Sequence, residues 1–124
     1  MAKGFNILII DDDFANQHLL RSILESEGYG VIIADGGKKA LEIIEKTGDL
    51  RLILLDLMMP EFDGYQFLDS LNDSNKSDVP VIVVSAKTDS GSIQRALDKG
   101  AYDYLSKPFN IQDILNKIMS ALTN

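Results

Sequence analysis

The sequence predicts an α/β fold, a five-stranded parallel sheet with helices on both faces. Two observations carry that prediction. Short apolar runs alternate five times with segments whose apolar residues recur at helical spacing. Such alternation requires crossover connections, so the strands run parallel and the helices cover them. The second is Leu52-Ile53-Leu54-Leu55, an unbroken apolar run that reads as a strand buried on both faces. Asp56 ends it. A carboxylate at the mouth of a buried strand is costly unless its charge is needed there, although a strand-ending Asp also suits a turn cap.

The elements follow in order. Phe5–Ile10 is the first strand and runs into Asp11-Asp12-Asp13. Residues 15–27 form a helix with Leu20, Ile23 and Leu24 inward and Gly28 as its stop. Tyr29–Ala34 is the second strand, broken by Gly36-Gly37. Lys38–Lys46 is a helix with Ala40, Leu41 and Ile44 inward, and Arg51–Asp56 is the third strand. Gly64, Phe67, Leu68 and Leu71 mark the third helix, and the polar segment Asn72–Asp78 is a loop. Pro80–Val84 is a β-branched strand, followed by a helix over 89–99 with Ile93, Ala96 and Leu97 inward and Gly100 as stop. Ala101–Leu105 is the last strand. Asn110 caps the final helix, with Asp113 in its first turn and Ile111, Ile114, Leu115, Ile118 and Leu122 as its apolar stripe.

At 124 residues the chain has the length of one domain, and 1–124 is read as one unit with no output domain. No apolar run approaches the roughly 20 residues that span a bilayer. Phe5–Ile10 is too short for the core of a signal peptide. Cysteine is absent, which excludes disulfides and thiolate chemistry and fits a reducing, cytoplasmic setting. The net charge of −7 argues against nucleic-acid or anionic-membrane binding.

Active sites of parallel sheets lie at the carboxyl ends of the strands. The strand-ending residues are Asp11, Asp12 and Asp13, then Asp35, Asp56, Ser85 and Lys107. Asp35 follows a strand that need not reach the crevice. Two carboxylates about 4 Å apart repel by roughly 4 kcal/mol at an effective dielectric near 20. Several therefore stay ionised together only with a cation, and hard oxygens that keep waters suit Mg²⁺. Lys107 and Ser85 can each donate to a phosphoryl oxygen, and Asp56 can attack phosphorus. Taken singly, each residue also has an ordinary role. Asp13 suits an N-cap, Asp11 and Asp12 a solvated loop, Ser85 a turn, and Lys107-Pro108 an exposed connection.

The chain resembles the receiver domain of two-component response regulators, from about Phe5 to Leu122. The matching pieces are Ile7-Leu8-Ile9-Ile10-Asp11-Asp12-Asp13, Leu54-Leu55-Asp56-Leu57-Met58-Met59-Pro60 with Asp63-Gly64, Val83-Val84-Ser85-Ala86, and Gly100-Ala101-Tyr102-Asp103-Tyr104-Leu105-Ser106-Lys107-Pro108-Phe109. The resemblance implies the CheY-like, flavodoxin-like strand order 2-1-3-4-5. It implies Asp56 as phosphoacceptor, and Asp12, Asp56 and the Met58 backbone carbonyl as Mg²⁺ ligands, with Asp11 ligating through water. Mn²⁺ is an alternative ion. Ser85 and Lys107 would contact the phosphoryl group, Lys107-Pro108 would be cis, and Tyr104 would switch inward as Ser85 is drawn to the phosphate. On the residues alone, Tyr104 is equally a half-buried aromatic with a wet hydroxyl.

Ser85 stands where Thr is commoner, and Phe14 where proline is frequent. Met58 and Lys87 occupy positions that govern water access, and an apolar Met58 implies slow autodephosphorylation. His18, the single histidine, is expected as an exposed helix residue. The resemblance further implies a sensor histidine kinase or phosphotransfer protein as donor and an output partner reading the 89–122 surface. A phosphorylation-dependent dimer is compatible with it. The protein would be no enzyme beyond its own phosphorylation and slow dephosphorylation. Two rivals are a degenerate receiver that serves only as an interaction module and a Mg²⁺ phosphohydrolase of the haloacid-dehalogenase type. Against the second, Asp11-x-Asp13 continues as Phe14-Ala15 rather than the expected Thr/Val.

Overall fold

Strands β1 (Asn6–Ile10), β2 (Gly30–Ala34), β3 (Leu50–Leu55), β4 (Val81–Ser85) and β5 (Asp103–Ser106) form one parallel sheet. Its order is β2-β1-β3-β4-β5, as the resemblance implied. Helices α1 (Phe14–Ser26), α2 (Gly37–Lys46), α3 (Gly64–Asn72), α4 (Ser90–Asp98) and α5 (Ile111–Thr123) make the connections and end the chain. The computed structural model describes residues 4–123; Met1–Lys3 and Asn124 of the expected 1–124 unit lie outside the described residues.

The central strands are apolar on both sides because each side faces its own helical layer. On β1, Ile7 and Ile9 point toward α1 and α5 and join Leu20, Leu24, Ile114 and Ile118. Leu8 and Ile10 point the other way, into a cluster with Ala40, Ile44, Phe67 and Leu71 from α2 and α3. The same two-residue alternation splits Leu52 and Leu54 from Ile53 and Leu55 on β3, and Ile82 and Val84 from Val81 and Val83 on β4. A single-residue slip would carry every one of these side chains into the wrong layer, so register is tightly specified.

Two inward assignments fail. Leu97 is 38 % exposed and Ile111 is 54 % exposed. On α4 the fully buried positions are Ser92 and Ala96, with the expected Ile93 half-buried against the core, so the helix meets the sheet through a narrow strip and Leu97 falls beside it. Ile111 is the first residue of α5, a turn ahead of the buried Ile114 and Ile118. Element ends otherwise differ from the expected spans by a residue or two.

The carboxyl edge is set by short, well-tied connections. Asp63 caps α3 by accepting from the Gln66 N–H at 3.0 Å, while Gln66 Oε1 accepts from the Asp63 N–H at 2.8 Å. This reciprocal pair satisfies two otherwise orphaned donors. Gly64 begins the helix directly against the end of β3. A Cβ there would sit 2.7 Å from Leu57 Cα and 2.9 Å from the Asp56 carbonyl oxygen, both main-chain atoms that cannot move aside. Gly64→Ala should therefore destabilise the fold, although alanine is favoured over glycine inside a helix by about 1 kcal/mol. Urea denaturation checks this: a midpoint equal to or above wild type would show that β3 and α3 can separate without penalty.

Candidate functional site at the carboxyl edge

Backbone ladders hold the site residues side by side. The Asp11 N–H donates to the Ala34 carbonyl at 3.1 Å and the Asp56 N–H to the Ile10 carbonyl at 2.9 Å. The Lys107 N–H reaches the Ser85 carbonyl at 2.9 Å. The first residues beyond β1, β3 and β5 are thus fixed as firmly as the strands.

Asp11, Asp12 and Asp56 bring carboxylate oxygens within 4.8 Å of one another, and among the described residues no other group of three or more acidic or histidine side chains does so. Asp11 is 2 % exposed and Asp56 9 %, while Asp12 is open to solvent. Lys107 Nζ lies 3.0 Å from Asp11 Oδ2 and 3.0 Å from Asp56 Oδ2. The remaining oxygens are also engaged: Asp11 Oδ1 accepts from the Asp13 N–H at 2.9 Å, and Asp56 Oδ1 from the Met58 N–H at 3.0 Å.

Asp13 stands apart as the N-cap of α1, accepting from the Ala15 N–H at 3.1 Å, which is the ordinary role considered for it. Ser85 is fully buried at the end of β4, and its Oγ accepts from the Lys87 N–H at 3.2 Å. The Lys107–Pro108 peptide is cis. Tyr104 is buried and its hydroxyl donates to the Lys87 carbonyl. Asp35 is exposed beyond the edge strand β2, and His18 is exposed on α1 with its ring stacked on Phe14 at 6.0 Å. Met58 is 59 % exposed beside the cluster.

Sequence reasoning passed over three supports. Gln17 Nε2 donates to the Asp11 carbonyl at 2.6 Å. Asp89 caps α4 through the Ser92 N–H at 2.9 Å and also accepts from its hydroxyl. The Tyr65 hydroxyl donates to the Ser92 carbonyl at 3.3 Å. Of these only Asp89-x-x-Ser92 carried a signal, the spacing of a helix cap.

Burial pushes the Asp11 carboxyl above its ordinary range, opposed by the Asp13 N–H and by Lys107. Burial also works against the Lys107 charge, but hydrogen bonds and charge from Asp11 and Asp56 outweigh it and raise the lysine overall. The signs follow by linkage. A raised Asp11 contributes most stability below its unfolded value of 3.8 and loses it as pH climbs through the raised folded value, so at neutral pH its ionised form is a cost. The Lys107 contribution is full below 10.5 and is lost only as pH rises through its raised value. The site sets three carboxyl groups, those of Asp11, Asp12 and Asp56, against the single ammonium of Lys107. Its donors are all hard oxygens, which fit a Mg²⁺-, Mn²⁺- or Ca²⁺-class ion rather than a thiophilic one.

This fold and edge define a class, the phosphoacceptor receiver domains of two-component signalling. The chain belongs to the response regulator receiver domain family, whose profile matches residues 7–119. It is 38 % identical over 116 residues to the transcriptional regulatory protein CpxR of Escherichia coli (strain K12), covering 94 % of this chain and 48 % of that one. The two-component response regulator ORR5 of Oryza sativa subsp. japonica is 33 % identical over 110 residues, covering 88 % and 82 %. The chain spans about half the length of the CpxR relatives it matches. Among solved structures, a CheY-like receiver domain from Methanospirillum hungatei JF-1 superposes with a TM-score of 0.89 at 33 % identity, covering 96 % of this chain and 94 % of that one. Chemotaxis protein CheY4 of Vibrio cholerae gives 0.89 at 25 % identity, covering 95 % and 98 %.

A divalent cation held by this cluster would compete with Lys107 for the same oxygens. Lys107→Met should lower the melting temperature of the metal-free protein and tighten divalent-cation binding by about ten-fold, equivalent to ~1.4 kcal/mol. Thermal melts with chelator and across a cation titration measure both; unchanged or weaker cation binding would refute the competition.

Proposed function

We propose that Asp56 accepts a phosphoryl group from a phosphohistidine on a sensor histidine kinase or phosphotransfer protein. The observation that carries this reading is the sharing of Lys107 by Asp11 and Asp56, at 3.0 Å each, beside the buried Ser85. Asp11, Asp12, Asp56 and the Met58 carbonyl would hold Mg²⁺ (Mn²⁺ as an alternative). When bound, it supplies neutralisation of charge on the phosphoryl oxygens.

The chain's own residues do the rest. An Asp56 carboxylate oxygen attacks phosphorus in line, the new O–P bond forms as the P–N bond breaks, and the departing imidazole takes up a proton. Lys107 shifts from carboxylate to a phosphoryl oxygen, and the Ser85 hydroxyl donates to another. The aspartyl phosphate adds about one negative charge and three acceptor oxygens. Drawing Ser85 toward it pulls on the Lys87 N–H, and through the Lys87 carbonyl on Tyr104. The change spreads to the 89–122 surface, where an output partner reads it, with phosphorylation-dependent dimerisation as one form of output. The protein is thus the acceptor of the group and no enzyme toward a separate substrate. A cytoplasmic setting agrees with the absence of cysteine. No described helix is long and apolar enough to cross a membrane.

Incubation with Mg²⁺ and acetyl phosphate should give one phosphate adduct by intact mass, absent in Asp56→Asn. No adduct with any donor would leave an interaction module, and repeated turnover of a phosphate ester would mean a hydrolase. The exposed Met58 also shields the acyl phosphate from water. Dephosphorylation in Mg²⁺ buffer should take minutes or longer and quicken several-fold in Met58→Asn; a half-life of seconds in the wild type would refute the shielding.

A further inference from the structure

The chain carries a net charge of −7, yet two cations line one groove beside the carboxyl edge. Lys87, on the β4–α4 loop, and Arg95, on α4, share a groove of about 480 Å³ with Leu57, Met58, Met59 and Tyr65. Among the described residues neither cation forms an ion pair, whereas Lys99, Lys107 and Lys117 each do. The carboxylates nearby in the chain are already employed. Asp63, which also lines the groove, is held as the cap of α3 and Asp89 as the cap of α4, and neither comes within ion-pair distance of Lys87 or Arg95.

The Arg95 guanidinium lies over the Tyr65 ring, 3.9 Å from its centroid. Stacking uses the face of the guanidinium and leaves its in-plane N–H donors for a carboxylate, which they grip in bidentate fashion. Met58, 59 % exposed, supplies an unbranched apolar surface that conforms to different side chains. The volume suits a small ligand or a few side chains, well short of a folded partner.

We propose that this groove docks an acidic peptide segment of a partner protein. One carboxylate pairs with Arg95 and Lys87, while a neighbouring apolar side chain lies on Met58. Charge complementarity selects this occupant: two cations without ion pairs, against the single lining carboxylate of Asp63, on one apolar-walled groove offer it to an anion. The inference does not rest on phosphoryl transfer at Asp56, although Met58 and Lys87, which the proposed function also uses, line the groove.

The test uses a fluorescein-labelled hexapeptide alternating Glu and Leu, its Gln–Leu counterpart, and benzoate as a small anion. Binding is read by anisotropy and by ¹⁵N amide shifts on the unphosphorylated protein. The Glu–Leu peptide should bind with shifts grouped at Met58, Met59, Lys87 and Arg95. Affinity should fall about ten-fold (~1.4 kcal/mol) in Lys87→Gln, in Arg95→Gln and with the Gln–Leu peptide. Added salt should weaken it, and Lys39→Gln on α2 should leave it unchanged. Lys87 is exposed, so its variant tests the proposal even where loss of the Arg95 stack disturbs α4. Equal binding of the Gln–Leu peptide, shifts outside the groove, or no binding overturns the proposal. Benzoate binding as tightly as the peptide also overturns it, in favour of a small-molecule site.

Discussion

The Lys107 ammonium held between Asp11 and Asp56 is the contact on which the carboxyl edge depends. Two largely buried carboxylates so close together would repel strongly in a poorly solvated pocket. The ammonium between them offsets that repulsion, and it comes from a residue 96 positions beyond Asp11 in the chain. The sheet order brings these groups together: β1 and β3 are neighbours, and the Ser85 carbonyl fixes the Lys107 backbone from β4. Breaking a buried pair by removing one partner costs more than the pair contributes, because a stranded charge is left behind. The site is therefore stable as a set, and a group that draws Lys107 away must replace its charge.

That requirement ties the structural role of Lys107 to its proposed chemical one. On the proposed function, a divalent cation would satisfy Asp11 and Asp56 without it and would free the ammonium for a phosphoryl oxygen. The raised Asp11 carboxyl records the same imbalance from the other side, since burial there is only partly offset by the Asp13 N–H and Lys107.

The sheet and its acidic edge were legible in the sequence because parallel strands buried on both faces write themselves as unbroken apolar runs, and because the residue after each run falls on one edge. Leu52–Leu55 followed by Asp56 is the plainest case. The helices were less legible where burial is slight. Leu97 and Ile111 have the right spacing for an inward face, but α4 packs on the core only through Ser92, Ala96 and the half-buried Ile93, and spacing does not report how wide a contact strip is. The Tyr104 hydroxyl was ambiguous for a similar reason: its acceptor is a main-chain carbonyl, that of Lys87, and a carbonyl is present at every position. The Lys87 and Arg95 groove left no trace, since pairing or solitude of a surface cation is settled by side chains distant in sequence.

The slight anchoring of α4 matters for how a change at Asp56 travels. The helix is tied to the rest mainly by polar contacts: Asp89 at its start, the Tyr65 hydroxyl on the Ser92 carbonyl, and Arg95 over the Tyr65 ring. Hydrogen bonds to charged groups contribute about 1.5–3 kcal/mol each. Shifting a two-state equilibrium from mostly one form to mostly the other takes about 5.5 kcal/mol. On the proposed function, two or three new bonds from Ser85 and Lys107 to a phosphoryl group lie in that range. A helix held by a broad apolar face would need far more to move, whereas α4, seated on Ser92, Ala96 and the half-buried Ile93, is within their reach. The exposure of Leu97 thus belongs to the same design as the burial of Asp56: one end of the device is made rigid, and the other is left light.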